Sequence, residues 1–288
     1  MITWDSNLIS AIARRRSVIV IGSGVSKNST NNSGKRPATW EDFLNNINIK
    51  NGNKKYIRDK IKEKDFLTSC ELIKNLIGDQ IFKSEVESEY SRPGYKHATI
   101  HEHIYNLDSS IVVSPNFDNI YDTYASSISS GTIIIRDHTS PDIINFLSGG
   151  DNRLLIKSHG SANSNGGIIF TRKEYAQART KYTLFYETLK SLVLTHTFIF
   201  IGCGVDDPDI RMLFEDVQFA HTRMPTHYMT IPQGEVHDEI LKICSESMNI
   251  QFLKYSPKNY HLDLTQSLQN LVIEVDNYRN DLAANRKW

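Results

Sequence analysis

The most informative residues of the chain are Ser17-Val18-Ile19-Val20-Ile21, followed by Gly22-Ser23-Gly24-Val25-Ser26. A second stretch has the same form, Thr197-Phe198-Ile199-Phe200-Ile201 followed by Gly202-Cys203-Gly204. Continuous runs of β-branched and aromatic residues are typical of parallel strands that helices cover on both faces. In such sheets ligands bind in the crevice at the carboxyl ends of the strands, where both glycine pairs fall. The two stretches therefore predict a doubly wound, mainly parallel α/β sheet whose default ligand is a nucleotide.

Length and charge limit the class of protein. A chain of 288 residues is long enough for one large α/β domain. Because 33 basic and 33 acidic side chains give a formal net charge of zero, the overall charge does not support binding to nucleic acid or to an anionic membrane. No run approaches the roughly 18 apolar residues of a membrane span, and residues 1–5 do not resemble a signal peptide. We expect a cytoplasmic protein that does not bind membranes.

Neither cysteine nor histidine spacing indicates a metal site. The sequence contains three cysteines, Cys70, Cys203 and Cys244. They are widely spaced and odd in number, so they form neither a C-x-x-C pair nor a disulfide framework. His97 and His101 share one helical face, but no acidic or cysteine partner has a clear spacing from them. We therefore expect no structural zinc.

Strands and helices alternate along most of the chain, as a doubly wound, Rossmann-like sheet requires. Besides 17–21, apolar runs predict strands near 110–114, 131–136, 153–157, 197–202, 226–231 and 249–254. Helices fit between them at 97–107, 117–127, 173–195, 207–220 and 233–246, with a C-terminal helix at 260–282. The charged helical segment 54–90 predicts a small inserted lobe. We expect residues 1–288 to form a single domain that includes this insertion.

A polar segment separates the first strand from the next helix. Residues 27–37 contain too few apolar side chains to pack, which predicts a flexible loop over the crevice that orders when a ligand binds. A helix should begin directly after it, because Thr39 suits the N-cap and Asp42 the third helical position.

The first glycine loop suits a pyrophosphate. Without Cβ atoms, Gly22 and Gly24 let backbone amides approach phosphate oxygens near a helix start. The dinucleotide fingerprint requires a third glycine, but Lys27 stands at that position, which disfavours a hydride-transfer enzyme. Taken alone, the loop is also compatible with a tight turn that binds nothing.

Polar side chains follow two further predicted strands. Asn116 and Asp118 come after the strand at 110–114, and one of them could instead serve as the N-cap of the next helix. His159 follows the strand at 153–157 and precedes Gly160. A lone histidine is more often structural than catalytic, but one at this edge of the sheet has titration behaviour suited to proton transfer.

Taken in order, these motifs resemble those of sirtuin-like NAD-consuming domains. The matching residues are Gly22-Ser23-Gly24-Val25-Ser26, Pro115-Asn116-Phe117-Asp118, His159-Gly160 and Gly202-Cys203-Gly204. Asn116-Phe117-Asp118 falls where sirtuins have Asn-Ile-Asp, and the stretch from Phe198 to Asp209 is similar to the bacterial branch, whose members hydrolyse NAD in anti-phage defence. The match spans about residues 17–220.

The chain departs from the protein deacylases of that family. Those enzymes carry a zinc ribbon with two C-x-x-C pairs between the catalytic histidine and the later glycine motif, whereas residues 160–202 contain no cysteine. The resemblance therefore implies that no metal is required, and the missing ribbon argues against deacylation.

The resemblance also implies roles for individual residues in cleaving the bond between nicotinamide and ribose, with NAD as the substrate. His159 would act as the base, Asp118 would accept a hydrogen bond from the carboxamide, and Asn116 would position water or a ribose hydroxyl. Dinucleotide binding would fall to Gly22, Ser23, Gly24 and Ser26 at the pyrophosphate, to Gly202 and Gly204 at the adenosine ribose, and to Asp207.

We expect an NAD glycohydrolase that depletes the cofactor in anti-phage defence. Because a cell would not thrive with unrestrained NAD hydrolysis, we also expect a separate sensor or activator protein, self-assembly into a homo-oligomer, or both. Two alternatives stay open. The same bond cleavage could serve protein deacylation or ADP-ribosyl transfer, or the domain could be a non-catalytic nucleotide-binding module.

Overall fold

The fold is built on a seven-stranded sheet. The computed structural model describes residues 1–147, 152–162, 167–205, 208–221 and 224–287. The strands within them are β1 (Ser17–Ile21), β2 (Ile111–Ser114), β3 (Ile134–Asp137), β4 (Leu154–Lys157), β5 (Thr197–Ile201), β6 (His227–Pro232) and β7 (Ile250–Tyr255). They are arranged in the order β3-β4-β2-β1-β5-β6-β7, and every neighbouring pair is parallel. The predicted doubly wound α/β fold is confirmed.

Helices connect the strands and follow them. Before β2 the structure describes α1 (Ser6–Ala13), α2 (Ser23–Ser26), α3 (Trp40–Lys50), α4 (Lys55–Lys62), α5 (Phe66–Ile77), α6 (Asp79–Tyr90) and α7 (Thr99–Asn106). After β2 it describes α8 (Ile120–Ile128), a 3₁₀ turn (Ile143–Phe146), α9 (Arg172–Lys181), α10 (Thr183–Thr195), α11 (Pro208–Ala220), α12 (Asp238–Met248) and α13 (Lys258–Asn285). Near the start of α13, Asn259, Tyr260 and His261 have positive φ angles, so the regular helix follows them. No helix in these described parts is long and apolar enough to cross a membrane.

The sheet is buried on both faces. Successive residues of a strand point to opposite sides, so Val18 and Val20 of β1 pack in one core with residues of α9 to α12. Ile19 and Ile21 pack in a second core with residues of α1, α7, α8 and α13. This double coverage explains why inner strands such as β1 and β5 are continuous apolar runs rather than alternating ones.

A third core belongs to the helices between β1 and β2. It contains apolar side chains of α3, α4, α5 and α6 and extends to Phe117 and Phe170. Helix α3 begins at the predicted N-cap, since Thr39 and Asp42 form a capping box. This core therefore starts earlier than the insertion predicted at 54–90. Because Phe117 follows β2 and Phe170 precedes α9, the helices α3–α6 pack against the carboxyl edge of the sheet.

Several helix boundaries differ from the sequence prediction. The single helix predicted at 173–195 is two helices, α9 and α10, because Tyr182 between them has φ −113° and ψ 46° and leaves the helical conformation. The helix predicted at 233–246 begins at Asp238 instead. The preceding residues form a turn in which Gly234 has φ +81°, a conformation that favours glycine.

Strand order places the binding crevice. The chain leaves β1 toward β2 on one side and leaves β5 toward β6 on the other. The carboxyl ends of β1 and β5 therefore form the topological switch point, where open α/β sheets bind their ligands.

Candidate active site

A cavity of about 510 Å³ lies at this switch point. Residues that follow β1, β2, β4, β5 and β6 line one part of it, and Trp40 and Phe66 of the helices α3–α6 line another. Its volume is within the range of small-molecule and cofactor sites.

The cavity brings together most of the residues singled out in the sequence. Gly22, Ser23, Ser26, Asn116, Asp118, His159, Gly202 and Gly204 all line it. Gly24 is not among the lining residues, because it faces the second glycine loop. Asp207 lies outside the residues that the structure describes.

A directed chain of hydrogen bonds joins three of these side chains. The Asn116 Nδ2 donates to the Ser26 Oγ at 3.0 Å, and the Ser26 Oγ donates to the Asp118 Oδ2 at 2.7 Å. The order of donors fixes the orientation of the Asn116 amide. Its Oδ1 has no hydrogen-bond partner among the described residues, so it is available to a ligand or a water molecule.

Asp118 is buried and contacts the start of α8. Its Oδ1 accepts from the Ile120 backbone amide at 3.1 Å, and its side chain is 5% exposed. The helix predicted from 117 begins instead at Ile120, with Asn119 as its N-cap residue. The Asp118 side chain thus lines the cavity and also binds the first residue of α8.

Beneath Asp118 lies a buried ion pair. The Lys157 Nζ donates to the Asp118 backbone oxygen at 2.7 Å and lies 3.3 Å from both carboxylate oxygens of Asp122. Burial raises the pKa of Asp122, while the neighbouring Lys157 charge acts in the opposite direction.

His159 is held by its neighbours on two sides. The Tyr175 hydroxyl lies 3.3 Å from the His159 Nδ1, and both residues are buried. The backbone turns directly afterwards, since Gly160 has φ +77° and a Cβ there would lie 2.3 Å from the Gly167 oxygen. A side chain at position 160 would therefore clash with the Gly167 backbone and strain the turn that follows His159.

The two glycine loops interlock. The Gly22 amide donates to the Ile201 oxygen, and the Gly24 amide donates to the Gly202 oxygen, both at 2.9 Å. A Cβ on Gly22 would lie 2.3 Å from the Gly202 oxygen, and one on Gly24 would lie 2.9 Å from the Gly202 Cα. Close packing between the loops thus requires these glycines whether or not a phosphate binds. By contrast, a Cβ on Gly204 would meet nothing within 4 Å.

Residues 27–39, named the strap, lead to the cavity, and the last three of them line it. Glu89 of α6 fastens the strap. Its carboxylate accepts from the Lys35 Nζ at 2.6 Å, the Ala38 amide at 3.0 Å and the Tyr95 hydroxyl at 2.9 Å. The predicted loop over the crevice is therefore tied to the helices α3–α6.

One of the three cysteine thiols lines the cavity. Cys203 is partly exposed and lines the cavity beside Glu235 and Val236, whereas Cys70 and Cys244 are buried. Thiol labelling of the folded protein should therefore report on this cavity.

The residues that support the site were not predicted from the sequence. A lysine at the end of the apolar strand β4 was a signal for Lys157, because lysine is almost never buried unless it is paired. No comparable pattern pointed to Tyr175 or Glu89, whose partners lie far away or on another element.

His101, one of the two histidines considered for zinc, has a structural role at the start of α7. His101 is buried, and its Nδ1 accepts from the Ala98 amide at 3.1 Å at the start of α7. Burial lowers the pKa of His101 to about 4. Within the described ranges, no group of three or more His, Cys, Asp or Glu side chains is arranged to hold a metal ion.

A Rossmann-like sheet with a cavity at its switch point is the arrangement in which open α/β proteins bind their ligands. Residues 110–253, half of the chain, match the family described as SIR2-like domain. The chain belongs to this family, and the resemblance inferred from the motifs is confirmed.

Two curated relatives match over part of the chain. Defense-associated sirtuin 2 of Bacillus subtilis is 28% identical over 122 residues, which cover 41% of this chain and 12% of the relative. NAD(+) hydrolase ThsA of Enterococcus faecium is 26% identical over 136 residues, which cover 43% of this chain and 27% of the relative. The matches thus span about an eighth and about a quarter of the two relatives.

Proposed function

We propose that this chain cleaves NAD between nicotinamide and ribose and releases nicotinamide and ADP-ribose. Membership of the SIR2-like family and the name of one relative, NAD(+) hydrolase ThsA, support an NAD-consuming enzyme. The observation that carries the proposal is the hydrogen-bond chain from Asn116 through Ser26 to Asp118, on the same cavity as His159.

Asn116 would hold the attacking water. Its Nδ2 is committed to Ser26, so its Oδ1 can accept a hydrogen bond from a water molecule in the cavity. Fixing the water beside the reacting carbon turns a bimolecular step into an effectively unimolecular one.

His159 would take the proton of that water. To act as a base at Nε2, the ring must carry its proton on Nδ1 and donate it to the Tyr175 oxygen. General base catalysis of this kind contributes about 10²–10⁴-fold to the rate.

Asp118 would orient the nicotinamide. Ser26 and the Ile120 amide each occupy one of its oxygens, but a carboxylate has about four lone-pair sites, so it can also accept from the carboxamide. In the reaction the bond between the ribose C1′ and the nicotinamide nitrogen breaks, and its electron pair neutralises the pyridinium ring. The water oxygen bonds to C1′, and its proton passes to His159.

The test is incubation with NAD followed by chromatography of nicotinamide, ADP-ribose and any transfer product. His159→Ala and Asn116→Ala should each lower nicotinamide release at least about 10²-fold, whereas His221→Ala, at an exposed histidine, should leave it unchanged. Wild-type turnover in either site variant would refute the assignment. An acylated or ADP-ribosylated product would favour the transferase alternative.

Cys203 provides an independent binding assay. NAD should protect this thiol from alkylation in the folded protein, because the thiol lines the cavity. Protection without nicotinamide release, with and without an activator, would favour a non-catalytic nucleotide-binding module.

We further propose that the enzyme acts in anti-phage defence and is restrained until triggered. The name of the relative Defense-associated sirtuin 2 supports the defence role. Three thiols without a disulfide fit the reducing cytoplasm. In infected cells, NAD should fall with the wild-type chain and not with His159→Ala. Light scattering with and without a candidate activator would show whether self-assembly or a separate partner provides the restraint.

A further inference from the structure

A buried cation lies beside Asp118 and does not itself line the cavity. Lys157 ends β4 and is 3% exposed. Burial of an ammonium group is costly unless the charge is paired and hydrogen-bonded. Lys157 meets this requirement with the Asp118 backbone oxygen at 2.7 Å and the Asp122 carboxylate at 3.3 Å.

These contacts connect two parts of the candidate active site. Asp118 lies after β2, and Asp122 lies in the first turn of α8. Lys157 is the last residue of β4, and His159 follows it by two positions. Strands β2 and β4 are neighbours, with Ser114 opposite Lys157. The lysine therefore connects the loop that carries Asn116 and Asp118 to the end of β4, directly before the turn that carries His159.

Stability alone is a weak explanation for such a pair. Replacing a buried ion pair by apolar side chains of similar volume is often neutral or stabilising. A single backbone oxygen on the Asn116–Asp118 loop receives the shorter of the two contacts, and that loop supplies the cavity wall. The pair thus contacts the loop that carries Asn116 and Asp118 directly.

We propose that Lys157 and Asp122 form a positioning pair that holds Asn116 and Asp118 in register with His159 during cleavage of the nicotinamide bond. This inference rests on the proposed function. Neither residue lines the cavity. Their loss should therefore lower kcat and leave NAD binding unchanged.

The test uses the double variant Lys157→Met/Asp122→Asn, which removes both charges and leaves no unpaired ion. We expect kcat to fall about 10²-fold, as a displacement of about 1 Å in catalytic groups can cause. The KM and the NAD concentration that half-protects Cys203 should stay unchanged. Asp122→Asn alone keeps the bond from Lys157 to Asp118 and should lose less activity than the double variant.

A matched surface variant controls for loss of an ion pair as such. Lys254→Met/Asp238→Asn removes the exposed pair between Lys254 and Asp238 and should keep both kcat and KM. If the buried double variant melts below the assay temperature, Lys157→Arg replaces it. Arginine retains the charge but displaces the donor atom, so kcat should again fall at constant KM.

The outcomes separate this inference from the proposed function. An active wild type together with a folded double variant whose kcat is unchanged overturns the positioning role alone. A parallel loss of kcat and Cys203 protection also overturns it, because the pair would then merely support the fold. Absence of nicotinamide release from the wild type, with and without an activator, overturns the proposed function and this inference with it.

Discussion

Replacing Ser26 with alanine removes the hydroxyl that joins Asn116 to Asp118. The Ser26 Oγ is buried, donates to the carboxylate at 2.7 Å and accepts from the amide at 3.0 Å. A hydrogen bond to a charged group contributes about 1.5–3 kcal/mol, and the second bond is lost as well. We therefore expect Ser26→Ala to lower the free energy of unfolding by about 2–3 kcal/mol.

Ser29 provides a matched control. Its side chain is 0% exposed, and its Oγ has no hydrogen-bond partner among the described residues. Because a buried unsatisfied hydroxyl costs free energy, Ser29→Ala should leave stability unchanged or raise it. Both substitutions remove one oxygen from a buried serine, so the difference between them isolates the hydrogen bonds of Ser26.

Urea unfolding followed by circular dichroism measures this difference, provided that the three proteins share one m value. Nicotinamide release gives a second readout, since Ser26→Ala should lower kcat through the loss of Asn116 orientation and Ser29→Ala should not. An equal loss of stability in the two variants, or wild-type kcat in Ser26→Ala, would refute the role of the hydrogen-bond chain.

Three further outcomes are expected. Tyr175→Phe removes the hydroxyl beside the candidate base but keeps the ring, so kcat should fall about tenfold. The pH profile of kcat should change and the melting temperature should not. An unaltered pH profile would contradict the role of this hydroxyl. Gly22→Ala places a Cβ 2.3 Å from a backbone oxygen and should lower the free energy of unfolding by about 1–3 kcal/mol or more. A Cβ on Gly204 meets open space, so the free energy of unfolding of Gly204→Ala should stay within about 0.5 kcal/mol of wild type. Thermal unfolding measures both variants. Burial lowers the pKa of His101 to about 4 and that of His227 to about 3. The unfolded state therefore binds protons first as the pH falls below 6.5. The free energy of unfolding should then drop by up to about 1.4 kcal/mol per pH unit for each residue down to about pH 4, and His101→Gln/His227→Gln should flatten this dependence in urea titrations.

The inner strands β1, β2, β4 and β5 were predictable because they are mostly buried parallel strands with largely apolar runs, whereas the edge strands β3 and β7 are partly exposed. The structure places all seven within a few residues of their predicted positions. Helix limits were less accessible. The break at Tyr182 has no glycine or proline beside it, and the late start of α12 depends on the turn around Gly234.

The sequence predicted which polar residues line the candidate site, but not which residues hold them in position. Asn116, Asp118 and His159 all follow strands, so strand order alone carries them to one cavity. The bond from Tyr175 to His159 depends on how α9 packs, and the bridge from Lys157 depends on the pairing of β2 with β4. Sequence spacing contains neither of these facts.

The central position of β1 has a consequence for the order of folding. Val18 pairs with Ile111 on one side and with Phe198 on the other, so the first strand of the sheet gains its second neighbour late in chain synthesis. The interlocked glycine loops cannot form before that pairing. Contacts so distant along the chain slow the folding of parallel sheets, while the helices α3–α6, whose core is largely local, can condense earlier. A nascent chain that ends before β5 should therefore hold a helical subdomain and an unfinished sheet, without a pocket for a nucleotide.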